Sequence, residues 1–466
     1  MTKNNGIEGT ELPDQRYFHT GWLESNRPKT SVEIAEERRA LQGAGAAAAP
    51  TREVETIIGV GEGGQLRLST AQRKRWGVTP DAEFLVEETA DGLILRRADP
   101  ALARVIVEPT TRCNLSCRTC VRHSWDEPLG SMSRSTFEAL LDGLGKVPTL
   151  RTVAFWGIGE PLCHPDIAEM VHLAHGLGLR TELITNALLL DREKAEALVR
   201  AGLDRLVVSI DGATDEAQAD VRSGASLEQV RRNVRGLHAV RAKLLRNTPE
   251  VEIEFVAMRR NLRELPSLRR LAYELEARAI IITGVLPYTP ELAEETLYGY
   301  KAGTIAGTQS SWEPRIVLPL MDARRETLEP VVQLLEHTAA LSGALAGRRG
   351  ASGHCRFVSE GTAAVSWTGD LSPCVGLMHS YSVHVSGIER RITRYTLGNV
   401  GEVAIGELWN REDCRAFRKR VLDFDFAPCT DCGGCELATT NEADCFGNEF
   451  PVCGGCLWAK GVIQCP

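Results

Sequence analysis

The sequence predicts an α/β protein with a partial (β/α)6, TIM-like barrel, a small β module before it and a cysteine-rich domain after it. Three patterns support this prediction. Strand-like apolar runs alternate with amphipathic helical stretches from residue 104 onward, short alternating strands separated by turn residues fill 53–97, and residues 350–466 are rich in Gly, Cys and turns. The alternation of strands and helices is typical of a parallel sheet with right-handed crossovers.

The length of 466 residues exceeds what one hydrophobic core usually supports, so we expect several regions. Residues 1–52 lack sustained periodicity and are expected to form a mostly disordered leader. The β module is assigned to 53–98, the barrel to 101–345 and the cysteine-rich domain to 350–466. The irregular segment 287–325 is interpreted as an insertion or lid on the substrate side.

Six barrel strands are predicted, a number that fits a partial barrel better than a closed eight-stranded one. Each is a short apolar run, and the stretches between these runs have helical periodicity. The predicted strands are residues 104–109, 151–156, 179–185, 205–211, 251–258 and 279–283.

The composition, 43% hydrophobic and 25% charged, is that of an ordinary globular protein, and no apolar run of about 18 residues could span a bilayer. The first residues lack the basic flank and apolar core of a secretory signal, so we expect a cytoplasmic protein that does not bind membranes. The net charge of -8 argues against nucleic acid as a partner.

The 14 cysteines are numerous for a cytosolic protein, in which thiol clusters more often bind metal than form disulfides. None precedes Cys113, three lie within Cys113–Cys120, and eight lie between Cys414 and Cys465. This distribution predicts metal sites. The isolated Cys163 and Cys414 are expected to be inert core or boundary residues.

Cys113, Cys117 and Cys120 follow the first predicted barrel strand. Three thiolates on one compact loop can ligate three irons of a [4Fe-4S] cluster and leave the fourth iron open. S-adenosylmethionine (SAM) can chelate such an iron, and electron transfer into its sulfonium then gives a 5′-deoxyadenosyl radical. A structural zinc site is the alternative, but zinc prefers four closed ligands, and His123 is the one further candidate nearby.

This loop resembles that of the radical SAM superfamily, whose further motifs recur at the ends of the next predicted strands. Gly157-Ile-Gly-Glu-Pro161 is similar to the family motif that receives the amino group of SAM. The resemblance implies that SAM is bound by Gly157, Gly159, Glu160, Asn186, Ser209, Asp211 and Arg222, with Ser209 and Arg222 at its ribose and carboxylate. The family usually has an aromatic residue in place of Thr119, so this chain departs from the expected adenine contact.

The C-terminal cysteines resemble the SPASM domain, which binds auxiliary clusters in radical SAM enzymes that modify peptides and proteins. The order is Cys355, then Gly369 and Cys374, a Leu-Gly-Asn-Val run at 397–400, and a cysteine-rich tail. The resemblance implies two auxiliary [4Fe-4S] clusters with the candidate ligands Cys355, Cys374, Cys429, Cys432, Cys435, Cys445, Cys453, Cys456 and Cys465. Nine candidates compete for eight places, so the partition stays open, and zinc remains an alternative for one site.

Residues 53–98 resemble the AbrB/SpoVT swapped-hairpin domain through a strand, the pair Gly64-Gln65, a short helix ending at Gly77-Val78, and a closing hairpin. That family dimerises and often binds DNA. Residues 51–100 hold seven Lys or Arg against nine Asp or Glu, a balance of -2. This charge favours homodimerisation or partner docking over DNA binding.

A more specific resemblance, in residues 122–130, 444–448 and 451–458, is to radical SAM/SPASM maturases found with tungsten-containing oxidoreductases. It implies action on a protein, peptide or cofactor, with an electron donor such as ferredoxin or flavodoxin. One alternative is an enzyme that forms thioether or carbon-carbon crosslinks in ribosomally made peptides. Another is an iron-sulfur redox-sensing DNA-binding regulator, against which the acidic module and the SAM motifs argue. No general acid or base can be named from the sequence.

Overall fold

The computed structural model describes residues 59–60, 66–76, 78, 84–89, 92–298, 302–303, 315–322, 324–335, 353–429 and 435–464. The predicted leader lies outside these residues. The chain divides into two compact units, residues 1–69 and 70–466. The first contains an antiparallel pair of short strands, β1 (Gly59–Val60) and β2 (Leu66–Arg67).

The second unit begins with a short helix and a hairpin. Helix α1 (Thr70–Trp76) precedes the antiparallel strands β3 (Phe84–Thr89) and β4 (Gly92–Arg97). Both elements occur where the sequence predicts them. The resemblance to a swapped-hairpin domain and the boundaries 53–98 stay predictions.

The remaining strands are β5 (Arg104–Val107), β6 (Ser116–Cys117), β7 (Thr152–Phe155), β8 (Arg180–Thr185), β9 (Arg205–Ser209), β10 (Arg222–Ser223), β11 (Glu250–Ala257), β12 (Ala279–Gly284), β13 (Ala302–Gly303), β14 (Arg315–Val317), β15 (Met321–Asp322), β16 (Thr362–Val365), β17 (Asp370–Ser372), β18 (Tyr381–Val385), β19 (Ile388–Ile392) and β20 (Gly398–Asn399). Ten of them form one sheet in the order β14-β12-β11-β9-β8-β7-β5-β16-β17-β20. The six predicted barrel strands, β5 to β12 in this sheet, lie side by side and parallel. This arrangement confirms the partial barrel.

The sheet has eight parallel strands where six are predicted, because β14 and β16 extend it at opposite edges. β16 comes from the cysteine-rich domain and pairs with β5, Thr362 opposite Arg104 and Val365 opposite Val107. Its four residues are all buried. A run this short has no periodicity that separates it from a buried turn or helix in the sequence. The cysteine-rich domain therefore shares one sheet with the barrel.

The helices cover the barrel strands and continue into the C-terminal domain. Ser133, Asp191, Thr214 and Ser226 each cap a helix by accepting a hydrogen bond from the backbone N–H three residues further on. The helices after α1 are α2 (Arg134–Gly145), α3 (Ile167–Gly176), α4 (Arg192–Ala201), α5 (Asp215–Val221), α6 (Leu227–Lys243), α7 (Leu268–Glu274), α8 (Pro290–Glu294), α9 (Arg325–Leu335), α10 (Arg356–Ser359), α11 (Ile405–Asn410) and α12 (Glu412–Asp423).

The largest hydrophobic cluster joins the barrel strands and their helices to part of the C-terminal domain, with Phe155 and Leu206 from the sheet and Leu408 and Trp409 from α11. The segment 287–325 carries α8 and the short strands β13 to β15, and its interpretation as a lid stays a prediction. Within the described ranges, no helix is both long and apolar enough to cross a bilayer.

Gly361→Ala is expected to lower the free energy of unfolding by about 3 kcal/mol. Gly361 has a φ of 67°, its carbonyl accepts a hydrogen bond from Ala103 N at 2.8 Å, and a Cβ there would overlap the carbonyl of Ala101. Gly387→Ala is the control, since Gly387 has a φ of 78° but open space at the Cβ position. We expect a loss of about 1 kcal/mol for the control, measured by chemical denaturation. Equal losses would contradict a close junction between β16 and β5.

Candidate active site and cluster-binding thiols

The loop after β5 (residues 113–120, the cluster loop) brings the thiols of Cys113, Cys117 and Cys120 together. They lie so close that a negative charge on one thiol disfavours a negative charge on the others. Burial raises the pKa of the Cys113 thiol and raises that of Cys117 to about 11. Such thiols stay protonated until a metal replaces the proton. Three neighbouring thiols on one loop fit the three protein ligands of an open-iron cluster.

Arg122 lies beside these thiols. Its Nε donates to the sulfur of Cys120 at 3.1 Å, and its Nη2 donates to the carbonyl oxygen of Leu115 at 2.6 Å. A guanidinium in this position stabilises negative charge on thiolate ligands. This contact was not predicted from the sequence.

The cluster loop is also anchored to the segment that carries Arg222. β6 pairs antiparallel with β10, so that Cys117 lies opposite Arg222. Arg118 Nε donates to the backbone carbonyl of Asp220 at 2.6 Å. The predicted SAM-binding arginine and the cluster loop are therefore tied through their backbones.

The turn after β7 approaches the backbone of the cluster loop closely. A Cβ at Gly159 would overlap the carbonyl oxygen of Arg112, and one at Gly157 would overlap the side chain of Glu108. Glu160 N donates to the same Arg112 carbonyl at 2.9 Å. Both glycines are required by this close approach. The turn at residues 157–159, the glycine cradle, therefore lies beside the thiols, which fits the predicted SAM site.

Glu160 is buried, and its carboxylate is bonded to the protein. Oε1 accepts from Thr185 Oγ1 at 2.6 Å and from Leu162 N at 3.0 Å, and Oε2 accepts from Asn186 N at 2.8 Å. Burial raises the pKa of Glu160 although these hydrogen bonds oppose the shift. Asn186 Nδ2 donates to Asn114 Oδ1 at 2.9 Å, which joins the end of β8 to the cluster loop.

Asp211, which is fully buried at the end of β9, forms an ion pair with the partly buried Arg222. Arg222 Nε donates to Asp211 Oδ2 at 2.7 Å, and Val256 N donates to Asp211 Oδ1 at 3.0 Å. Burial lowers the pKa of Arg222. The negative charges of Asp211 and the nearby Cys117 outweigh this effect, so the pKa of Arg222 is raised. Ser209 Oγ donates to Glu254 Oε2 at 3.1 Å. Ser209, Asp211 and Arg222, which are predicted to bind SAM, therefore lie near one another at the end of β9.

A cavity of about 240 Å³ lies at the carboxyl ends of these strands, where α/β barrels place their chemistry. It is lined by Thr119 and Cys120 of the cluster loop, Gly157 of the turn, Glu254 of β11, and His379 and Trp458 of the C-terminal domain. Glu254 and His379, and the neighbouring Glu108, were not among the residues predicted from the sequence. Burial raises the pKa of Glu254 to about 7, so this carboxyl can hold or release a proton near neutral pH.

Cys355, Cys374, Cys453 and Cys456 surround a second, apolar cavity. Burial raises the pKa of each thiol, to about 12 for Cys355, and the charges of neighbouring thiols of the set reinforce the shift for Cys355, Cys374 and Cys453. Four neighbouring thiols around one cavity fit a [4Fe-4S] cluster with a complete set of protein ligands.

The two cavities share a wall. Leu286, Tyr381 and Trp458 line both of them. A cluster held by these four thiols would therefore be separated from the active-site cavity by the residues that line both cavities.

The other C-terminal cysteines differ in exposure. Cys429 is buried, whereas Cys435 and Cys445 are exposed. Ala427 N, two residues before Cys429, donates to Asp444 Oδ2 at 3.0 Å, so the segments of Cys429 and Cys445 adjoin. Cys432 and Cys465 lie outside the described residues. Among the residues that are described, no three Cys, His, Asp or Glu side chains are arranged to hold a single metal ion.

Comparison with known families gives two matches. Residues 107–248 match the Radical SAM superfamily, and residues 355–436 match the SPASM iron-sulfur cluster-binding domain. The first covers the cluster loop and the strand ends described above, and the second begins at Cys355.

Individual relatives cover most of the chain. The tungsten-containing aldehyde ferredoxin oxidoreductase cofactor-modifying protein of Pyrococcus furiosus is 30% identical over 77% of this chain and 96% of its own length. The PqqA peptide cyclase of Gluconobacter oxydans is 29% identical over 75% of this chain and 89% of its own. Among solved structures, Streptococcus suis SuiB bound to its precursor peptide SuiA is 13% identical, with a TM-score of 0.48 over 72% of this chain and 70% of that one.

Glu254→Gln is expected to gain stability relative to the wild type as the pH rises. The pKa of Glu254 is raised from 4.5 to about 7, so the folded chain binds more protons than the unfolded chain between these values. Wild-type stability therefore falls over this range, by at most about 3 kcal/mol, whereas the neutral amide is insensitive to it. Melting temperatures of both proteins between pH 4.5 and 8, without SAM, test this expectation. A difference that stays constant with pH would show that Glu254 ionises normally.

Proposed function

The chain belongs to the radical SAM superfamily and carries a SPASM domain, and on this premise we propose that it modifies a protein, peptide or cofactor with a radical generated at Cys113, Cys117 and Cys120. It is an enzyme that uses a [4Fe-4S] cluster with SAM and auxiliary iron-sulfur clusters. When bound, the cluster and SAM supply an electron transfer that yields the 5′-deoxyadenosyl radical. The observation that carries the proposal is the group of three thiols beside the glycine cradle.

In this proposal the strand ends bind and orient SAM. The backbone of Gly157 and Gly159 receives its amino group, with Glu160 holding the turn against Thr185 and Asn186. Ser209 and Arg222 contact the ribose and carboxylate, and Asp211 fixes the guanidinium of Arg222 through its 2.7 Å hydrogen bond.

We assign one auxiliary cluster to Cys355, Cys374, Cys453 and Cys456, because these four cysteines line one cavity. The second is assigned to Cys429, Cys432, Cys435 and Cys445, supported by the adjoining segments of Cys429 and Cys445. Cys465 is then the ninth candidate, without a place in either set. The wall that the two cavities share, at Leu286, Tyr381 and Trp458, supports a role for the first cluster in exchanging an electron with a substrate radical or in anchoring the substrate.

For the substrate, we propose the cofactor or protein of a tungsten-containing oxidoreductase. The support is the 30% identity to a cofactor-modifying protein of that kind, whose length this chain matches almost completely. A ferredoxin or flavodoxin would supply the electron, and residues 53–98 would dock the partner or dimerise. We place the enzyme in the cytoplasm.

A second candidate is crosslinking of a ribosomally made peptide, which the similarity to a PqqA peptide cyclase favours. Both candidates use the same cavity and clusters and differ in the molecule that enters. Mass spectrometry of each substrate after incubation with the loaded enzyme and SAM distinguishes them.

The reconstituted, reduced enzyme is expected to form 5′-deoxyadenosine from SAM. Replacing Cys113, Cys117 and Cys120 together by Ala removes the ligands of the open-iron cluster, so we expect product formation to fall to background. Chromatography of anaerobic reactions measures the product. Unchanged product formation in the triple variant would refute the assigned cluster site.

Replacing Cys374 and Cys456 together by Ala is expected to lower the iron content from roughly twelve to roughly eight atoms per chain, because the two thiols that remain are fewer than the three that hold the open-iron cluster. The matched control is Cys414→Ala. Cys414 is a buried thiol, but its sulfur accepts a hydrogen bond from Arg418 at 3.1 Å and lies outside both proposed sets. We expect the control to keep its full iron content. Equal iron loss in both variants would contradict the assignment.

A further inference from the structure

We propose that His379 of the C-terminal domain is a positioning residue for SAM, acting through Glu108, which braces the turn Gly157–Gly159. This inference rests on the proposed function, because it assumes that SAM binds at this turn. It adds a role for the C-terminal domain that does not depend on its cysteines.

His379 is buried and lies between two carboxylates. Its Nε2 is 2.9 Å from Glu108 Oε2, and its Nδ1 is 2.7 Å from Glu127 Oε2. Carboxylates accept hydrogen bonds, so both ring nitrogens donate and the ring is an imidazolium. Burial lowers the pKa of His379, but the two carboxylates outweigh this effect and raise it to about 9.

Glu108 contacts both His379 and the turn Gly157–Gly159. It follows directly after β5 and is fully buried. Its second oxygen, Oε1, accepts from Ile158 N at 3.0 Å, and its side chain fills the space where Gly157 would otherwise carry a Cβ. One carboxylate therefore contacts the turn by a hydrogen bond and by packing, while its other oxygen is held by His379.

Glu127 connects the same imidazolium to the segment after the cluster loop. Its Oε1 accepts from Ser380 N at 2.8 Å, and the ring of Trp125 meets that of His379 edge-on, with 4.8 Å between centroids. His379 thus joins the end of β5, the segment after the cluster loop and the C-terminal domain.

The chemistry of this contact favours positioning over proton transfer. Both N–H groups of His379 are already engaged, although the ring lines the active-site cavity. Without the imidazolium, Glu108 would be a buried carboxylate that lacks its cation, and such a group takes up a proton or moves. Either response weakens its hold on Ile158 and hence the shape of the turn.

His379→Gln is expected to weaken SAM binding roughly tenfold, in the range usual for residues that orient a ligand-binding group. Glu108→Gln should weaken it at least as much. If His379 acts through Glu108, the double variant is no weaker than Glu108→Gln alone. The readout is the SAM-induced change in the EPR spectrum of the reduced cluster, titrated with SAM, at equal iron content. His384→Gln, in the same domain but outside this contact, is the control and should bind SAM as the wild type does.

Wild-type SAM affinity in His379→Gln, or additive losses in the double variant, would overturn the inference and leave the proposed function intact. Failure of the wild type itself to give a SAM-dependent spectrum would overturn the proposed function and this inference with it. Should His379→Gln lose iron, Glu108→Gln tests the same brace with the imidazole still present, and unchanged SAM affinity there also overturns the inference.

Discussion

The hydrogen bonds of β5 to its two neighbours determine the geometry of the whole site. β7 and β16 both pair with β5 in parallel. The segments that follow these three strands therefore begin side by side at the same edge of the sheet. The ladder continues past the strand ends, from Trp156 N to Val107 O and from Glu108 N to Val365 O. A slip of one residue would turn every side chain to the opposite face. This register places the cluster loop, the glycine cradle and the C-terminal domain beside one another.

At the carboxyl ends of the strands, the site is built from buried carboxylates whose hydrogen-bond or ion-pair partners come from other segments of the chain. Glu160 is bonded to the end of β8, Asp211 to Arg222, and Glu108 to His379. A buried carboxylate is stable when donors surround it, so each one ties several loops together. The thiols of the C-terminal domain have a different requirement. Burial disfavours their charge, and a bound iron-sulfur cluster would compensate for this cost, which would link the stability of this domain to cluster loading.

Much of the barrel and of the predicted three-thiol cluster site follows from local spacing. The strand predicted at 104–109 is observed at Arg104–Val107, and the one at 205–211 is observed at Arg205–Ser209. Cys113, Cys117 and Cys120 are brought together by a loop of eight residues, so their proximity is already contained in their order along the chain. The strand β16 was missed because a run of four buried residues carries too little periodicity to identify a strand.

The sequence by itself determined the chemistry: a three-thiol loop, the glycine turn after the next strand, and a surplus of C-terminal cysteines. Only the tertiary structure decided which groups meet across the chain. It gathered Cys355 and Cys374 with Cys453 and Cys456, and it brought His379 to Glu108 over 271 residues. The spacing of residues along the sequence identifies neighbours within one loop or one helix. Partners this distant along the chain are selected by sheet pairing and burial, which depend on the whole fold.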